Sequence, residues 1–201
     1  MIKLYDHVVS GNCYKVRLAL SQLGVAYERI HVDIFRGEQG KPEFIALNPN
    51  KKIPVFVDGD FILWESNGIL LYIGKKFAPN NLYSEDPKVF GTVTQWLFFG
   101  KTTIDPALAR ARFITRFVPK ENQNEKELEA LREASKSALQ ILNDHLKKHD
   151  FLAGFYSIAD IGCYAYVHTA EEGELSLSPF PAVLSWCDRI RSQPRYISME
   201  D

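Results

Sequence analysis

Cysteine is scarce: only Cys13, Cys163 and Cys187 occur among 201 residues, and they lie far apart. They form no CxxC pair and no zinc-ligand spacing, which excludes a disulfide scaffold and a structural zinc site, and no metal is expected. Three scattered thiols fit a reducing, cytoplasmic setting. An excess of one charge is also missing. Lys and Arg number 24 against 25 Asp and Glu, for a net charge of −1, so there is no electrostatic basis for binding nucleic acid or an anionic membrane. No apolar run approaches the roughly 20 residues that span a bilayer. Met1-Ile2-Lys3-Leu4-Tyr5 enters a strand-like alternation at once, so no secretory leader is expected. Internal repeats and low-complexity stretches are absent. What remains is an ordinary globular composition, 46% hydrophobic and 24% charged, long enough for one large domain or two small ones.

The chain reads as two parts. Residues 1–80 mix strands and helices. Ile2 to Tyr5 alternates as a strand, and Val16, Ala19, Leu20 and Leu23 then mark one face of a helix that Gly24 caps. Tyr27 to Val32 reads as a second strand, and Pro42-Glu43-Phe44 as a short helix. Val55 to Val57, the turn Asp58-Gly59-Asp60 and Phe61 to Trp64 form a hairpin. A helix with Ile69, Leu70, Ile73 and Phe77 closes the part. The order is βαβαββα, an α/β domain. Residues 81–87, with Ser84-Glu85-Asp86-Pro87, read as a linker, and 88–201 as an all-helical domain. In that second part Gly91 to about Thr115 is helical in texture, with a kink expected at Pro106. Glu125 to Lys148 is amphipathic. Ser157-Ile158-Ala159-Asp160 is a capping box, and Pro181 sits at a first helical position.

Four segments together, Ser10-Gly11-Asn12-Cys13-Tyr14-Lys15-Val16-Arg17, Asn48-Pro49-Asn50-Lys51-Lys52-Ile53-Pro54-Val55, Trp64-Glu65-Ser66-Asn67-Gly68-Ile69 and Ser157-Ile158-Ala159-Asp160, carry a resemblance over essentially the whole chain. It resembles the cytosolic glutathione transferases, in particular the serine-type, theta-like bacterial branch. It is also similar to the nu-type pattern, from which it departs in having Gly11 where that pattern has proline. The resemblance implies a thioredoxin-like N-terminal domain, an all-α C-terminal domain lining a second-substrate site, glutathione as co-substrate, a homodimer, and no nucleic-acid or membrane partner.

Ser10 stands between a strand and a helix N-terminus, where unpaired N–H groups and the helix dipole favour an anion. In thioredoxin-like folds a reactive cysteine takes this corner; here the slot holds serine, so a sulfur must arrive with a ligand. By resemblance, the Ser10 hydroxyl donates to the thiolate of glutathione, and Asn12 is a rival donor. Cys13, in the second-cysteine slot, is expected to be a small buried bystander. Ile53-Pro54 looks like the family's cis-proline turn, with the Ile53 backbone pairing to the cysteinyl portion of glutathione. Lys52 and Gln39 would reach its glycine carboxylate. Glu65 would accept from the γ-glutamyl amine, and Ser66 would hold the γ-glutamyl carboxylate. Trp96, Phe99, Thr103 and Arg110 are candidates for the second-substrate wall. Arg110, Arg112 and Arg116 would meet a carboxylated substrate or a dimer partner. Asp160 reads as structural. The implied activity is conjugation of glutathione to a hydrophobic electrophile, with disulfide reduction or peroxidation, or non-catalytic binding, as alternatives.

Overall fold

A computed structural model describes all residues, Met1–Asp201. The chain divides into two compact units, residues Met1–Asn80 with Pro194–Asp201, and residues Asn81–Gln193. The last eight residues thus belong with the first unit, not with the helical domain as their position in sequence implies.

The first unit is built on a four-stranded sheet. Strand β1 (Ile2–Asp6) is parallel to β2 (Glu28–His31) and antiparallel to β3 (Val55–Asp58), which pairs in turn with β4 (Phe61–Trp64), giving the order β2-β1-β3-β4. Helix α1 (Gly11–Leu23) makes the crossover between the two parallel strands, since parallel neighbours cannot be joined by a tight turn. Its end is set by Gly24, whose φ of 67° lies in the left-handed region and whose N–H reaches the carbonyls of Leu20 and Ser21. Helix α2 (Pro42–Leu47) is short, and α3 (Ser66–Lys76) buries Ile69, Leu70 and Ile73. The core gathers Leu4, Val16, Leu18, Leu20, Val55 and Phe56, all fully buried. Helix α1 departs from its simple stripe, because Lys15 and Arg17 are as buried as the apolar residues. The Ile53–Pro54 and Ala78–Pro79 peptide bonds are cis.

The second unit is helical: α4 (Pro87–Phe99), α5 (Arg110–Phe117), α6 (Glu125–Leu146), α7 (Ile158–Val167) and α8 (Pro181–Arg191). Asp86 caps α4 by accepting from the N–H groups of Lys88 and Val89, and Pro87 takes the first helical position. Between α4 and α5, residues Gly100–Ala109 wind as a π-helix around Pro106. A kink is the expected response to an internal proline, which lacks an N–H and crowds the carbonyl four residues back. The chain instead takes up that mismatch by widening its turns, with Ile104, Ala107 and Leu108 still buried. Helix α7 is buried along its whole length. No helix is long and apolar enough to cross a membrane.

Candidate functional site

The loop after β1 ends at Ser10, which has an extended backbone and caps α1 by accepting from the Cys13 N–H at 3.3 Å. Its own N–H donates to the His7 carbonyl at 3.0 Å. Nδ1 of His7 accepts from the Val9 N–H at 3.3 Å, so one histidine braces both sides of the turn. His7 is nearly buried and packs edge-on against Phe35. Burial and the neighbouring His31 hold its imidazole below the usual value. Sequence reasoning missed His7; its only signal was its place between the end of β1 and the loop. The Ser10 oxygen is thus engaged in the helix cap, and its hydroxyl retains one O–H donor.

Helix α3 begins at Ser66, one residue after Glu65. Glu65 has φ 73° and ψ 109°, and its side chain makes no capping hydrogen bond. A non-glycine residue held at such a φ is strained by about 1–3 kcal/mol, and such residues cluster at functional sites. Ser66 is buried, and its Oγ donates to Asn12 Oδ1 at 3.0 Å. This single bond pins the first turn of α1 to the first turn of α3. The positive ends of both helix dipoles, and the N–H groups each leaves unpaired, therefore converge on one place. Asn12 thereby commits its amide oxygen to Ser66 and keeps its NH2 group as a donor. Two anionic groups a short distance apart suit this arrangement.

The other predicted residues are placed as follows. Ile53 is half-buried and precedes β3, outside the sheet register. Lys52 is exposed, and its carbonyl accepts from Asn48 Nδ2 at 2.6 Å. Gln39 turns into its own loop, with Nε2 donating to the Ile34 carbonyl at 3.4 Å. Cys13 is fully buried; burial, reinforced by the charge of Asp6, pushes its thiol far above the usual value. Trp96 is buried inside the helical unit, against Phe99 and His145, while Thr103 lies on the π-helical stretch.

The three arginines of the cluster have partners within the chain. Arg110 pairs with Glu127 at 2.8 Å, Arg112 with Glu172 at 2.9 Å, and Arg116 also with Glu172. These guanidinium groups meet carboxylates of the same chain. Asp160 is structural as expected: its carboxylate accepts from the backbone of Ser157 and Leu152 and from Trp186 Nε1. No three His, Cys, Asp or Glu side chains come together as a metal-binding group.

Residues 1–75 match the model of the glutathione S-transferase N-terminal domain, and residues 107–194 that of its C-terminal domain. Among characterised relatives, the chain is 32% identical to the disulfide-bond oxidoreductase YfcG of Escherichia coli strain K12, over 96% of this chain and 92% of that one. Among solved structures it is similar to a glutathione S-transferase from Pseudomonas fluorescens Pf-5, with 39% identity, a TM-score of 0.94, and coverage of 100% of this chain and 99% of that one. It is also similar to the glutathione transferase URE2P6 from Phanerochaete chrysosporium, solved in complex with oxidized glutathione, at 28% identity and a TM-score of 0.90, covering 96% of this chain and 92% of that one. Family models match most of the sequence of both units and the likeness to solved transferases runs the length of the chain, so this protein belongs to the glutathione S-transferase family.

Proposed function

We propose that this chain is a glutathione transferase that binds glutathione across the paired N-termini of α1 and α3 and activates its thiol at Ser10. The observation that carries the reading is the Ser66–Asn12 hydrogen bond, which brings the two helix ends together. Ser66 and the α3 N-terminus receive the γ-glutamyl carboxylate, and Glu65 accepts from the γ-glutamyl amine. The Ile53 backbone lies along the cysteinyl portion, and Lys52 meets the glycine carboxylate, joined by Gln39 once its Nε2 turns from the Ile34 carbonyl. The thiol gives its proton to solvent, and the Ser10 hydroxyl donates to the resulting thiolate. The sulfur then attacks an electrophilic carbon of a hydrophobic substrate: the C–S bond forms as the leaving group departs with its electron pair. A free thiol titrates at about 8.5, and lowering that by about two units takes about 2.7 kcal/mol. A charge-assisted hydrogen bond and a helix terminus supply roughly that amount.

Turnover of an aryl halide with glutathione tests the reading. Ser10→Ala should lower kcat/KM by about 10- to 100-fold, the cost of one hydrogen bond to a charged group. Full activity in Ser10→Ala would remove the role assigned to Ser10. A second reading, glutathione-dependent disulfide reduction, is favoured by Asn12, whose oxygen is committed to Ser66 and whose NH2 group can donate, and by the likeness to YfcG. It predicts turnover of a small mixed disulfide that Asn12→Ala reduces more than Ser10→Ala does; absence of any disulfide turnover would remove it. Exposed apolar side chains on β4 (Phe61, Ile62, Trp64) and on α4 (Phe98) support a homodimer, and a monomer mass by light scattering would refute that. Three free, buried cysteines agree with a reducing, cytoplasmic setting, which localisation of a tagged chain would check.

A further inference from the structure

Residues 194–201 are tied to the first unit by a row of backbone carbonyls. Tyr14 Oη donates to the Ile197 carbonyl at 2.8 Å, Ser21 Oγ to that of Arg195 at 2.8 Å, and Arg29 to that of Asp201 at 2.8 Å. Met199 is buried. The fourth tie differs from the rest. One terminal nitrogen of Arg17 donates both to the Met199 carbonyl at 2.9 Å and to the Val8 carbonyl at 3.1 Å. Val8 lies in the loop that ends at Ser10, and the Ser10 N–H is held by His7 directly before it. The Arg17 side chain is almost wholly buried, and its Nε faces the buried carboxylate of Asp6 at 3.3 Å, which Arg29 also pairs.

We propose that residues 194–201 position the Ser10 loop, with Arg17 as the positioning residue that joins them. A buried guanidinium is costly unless its donors are met. The hydrogen-bonded donors of Arg17 sit on one nitrogen, its Nε and other terminal nitrogen having no hydrogen-bond partner, so the Met199 carbonyl fixes the direction in which that one nitrogen presents its second hydrogen to Val8. Without Met199, Arg17 keeps Asp6 but loses the acceptor that aims it, and the Val8–Ser10 turn is held from one side only. The consequence for reactivity rests on the glutathione reading above: a loosened Ser10 hydroxyl stabilises the thiolate less, while the ties of glutathione at α3 and Ile53 are untouched.

The test uses a chain shortened to Ser198, which keeps the Tyr14 and Ser21 ties, and separately Arg17→Lys, which keeps a positive charge but has a single nitrogen that cannot face Asp6 and both carbonyls at once. Amide hydrogen exchange without ligand is read first. In each variant the Ser10 and Cys13 amides should exchange about tenfold faster, with the Ile69 amide of α3 unchanged. Unchanged exchange at Ser10 and Cys13 in both variants overturns the proposal. The pH–rate profile with glutathione is read second. Its midpoint should rise by about one unit with the KM for glutathione within about threefold of the parent. A merely structural segment would lower the unfolding temperature and leave that midpoint in place, and this result would overturn the link to reactivity. If the parent chain itself shows no lowered glutathione thiol, the glutathione reading fails, while the exchange result still decides the positioning role.

Discussion

Asp160 sets two large effects against each other, and their balance can be measured. Its carboxylate is fully buried. Oδ1 accepts from the Leu152 N–H at 3.0 Å and Trp186 Nε1 at 2.9 Å, and Oδ2 from the Ser157 N–H at 2.9 Å and Ser157 Oγ at 3.2 Å. All four donors favour the ionised form, while removal from water disfavours it. Burial is the larger effect and pushes the carboxyl from 3.8 up to about 6. The folded chain then holds a proton that the unfolded chain releases in this window. The associated stability is present below pH 4 and lost as pH rises toward 6. The full titration is worth about 3 kcal/mol, of which about 2 kcal/mol falls between pH 4 and pH 7. Asp160→Asn removes the titration and faces an amide NH2 toward donors, a pH-independent cost of about 1–3 kcal/mol. Urea unfolding of both chains at pH 4, 5, 6 and 7 and fixed ionic strength gives the difference in stability at each pH. Carboxylates that neighbours pull down, such as Asp58 beside Lys76 and Tyr72, act with the opposite sign in both chains and cancel. The advantage of the parent over Asp160→Asn should shrink by about 2 kcal/mol from pH 4 to pH 7. An advantage that stays constant or grows would mean that the four hydrogen bonds outweigh burial, and the reasoning would fail.

Two further perturbations separate strain from binding and reactivity from position. Glu65→Gly relieves the positive φ of 73°, so stability should rise by about 1 kcal/mol. The same change removes the acceptor proposed above for the γ-glutamyl amine, so calorimetric affinity for glutathione should fall about tenfold or more. Lower stability with unchanged affinity would show the strained residue to be structural only. All three cysteines are buried, and burial pushes the Cys187 thiol up to about 12 and the Cys13 thiol higher still. The native chain should therefore react negligibly with an aromatic disulfide reagent at pH 8 within minutes, and at all three thiols once unfolded. Rapid labelling of Cys13 in the folded chain would contradict its assignment as a bystander.

What could be read from the residues depended on how far each side chain's partner lies along the chain. The Ser10 cap, the Gly24 stop and the Ser157–Asp160 box each close within about one helical turn, so local spacing is enough to see them. The apolar periodicities of β1, α3 and α6 were legible for the same reason. Arg110, Arg112 and Arg116 look alike in sequence, yet their partners Glu127 and Glu172 lie 17 to 60 residues away, and only the fold selects them. The π-helical stretch escaped because proline announces a disturbance without saying whether the chain bends or widens. The site divides along the same line. Ser10, Asn12 and Ser66 were each visible from motif and cap chemistry, but the bond joining Asn12 to Ser66 crosses 54 residues. Within the glutathione reading proposed above, that bond bears on which residue meets the sulfur. It commits the Asn12 oxygen to Ser66 and leaves the amide NH2 as the group Asn12 can offer, while Ser10 commits its oxygen to the helix cap and offers its hydroxyl proton. Both rivals are thus held as donors by bonds to their other ends. In the glutathione reading proposed above, a thiolate at this corner would take both, and Ser10→Ala and Asn12→Ala measure how it is shared between them.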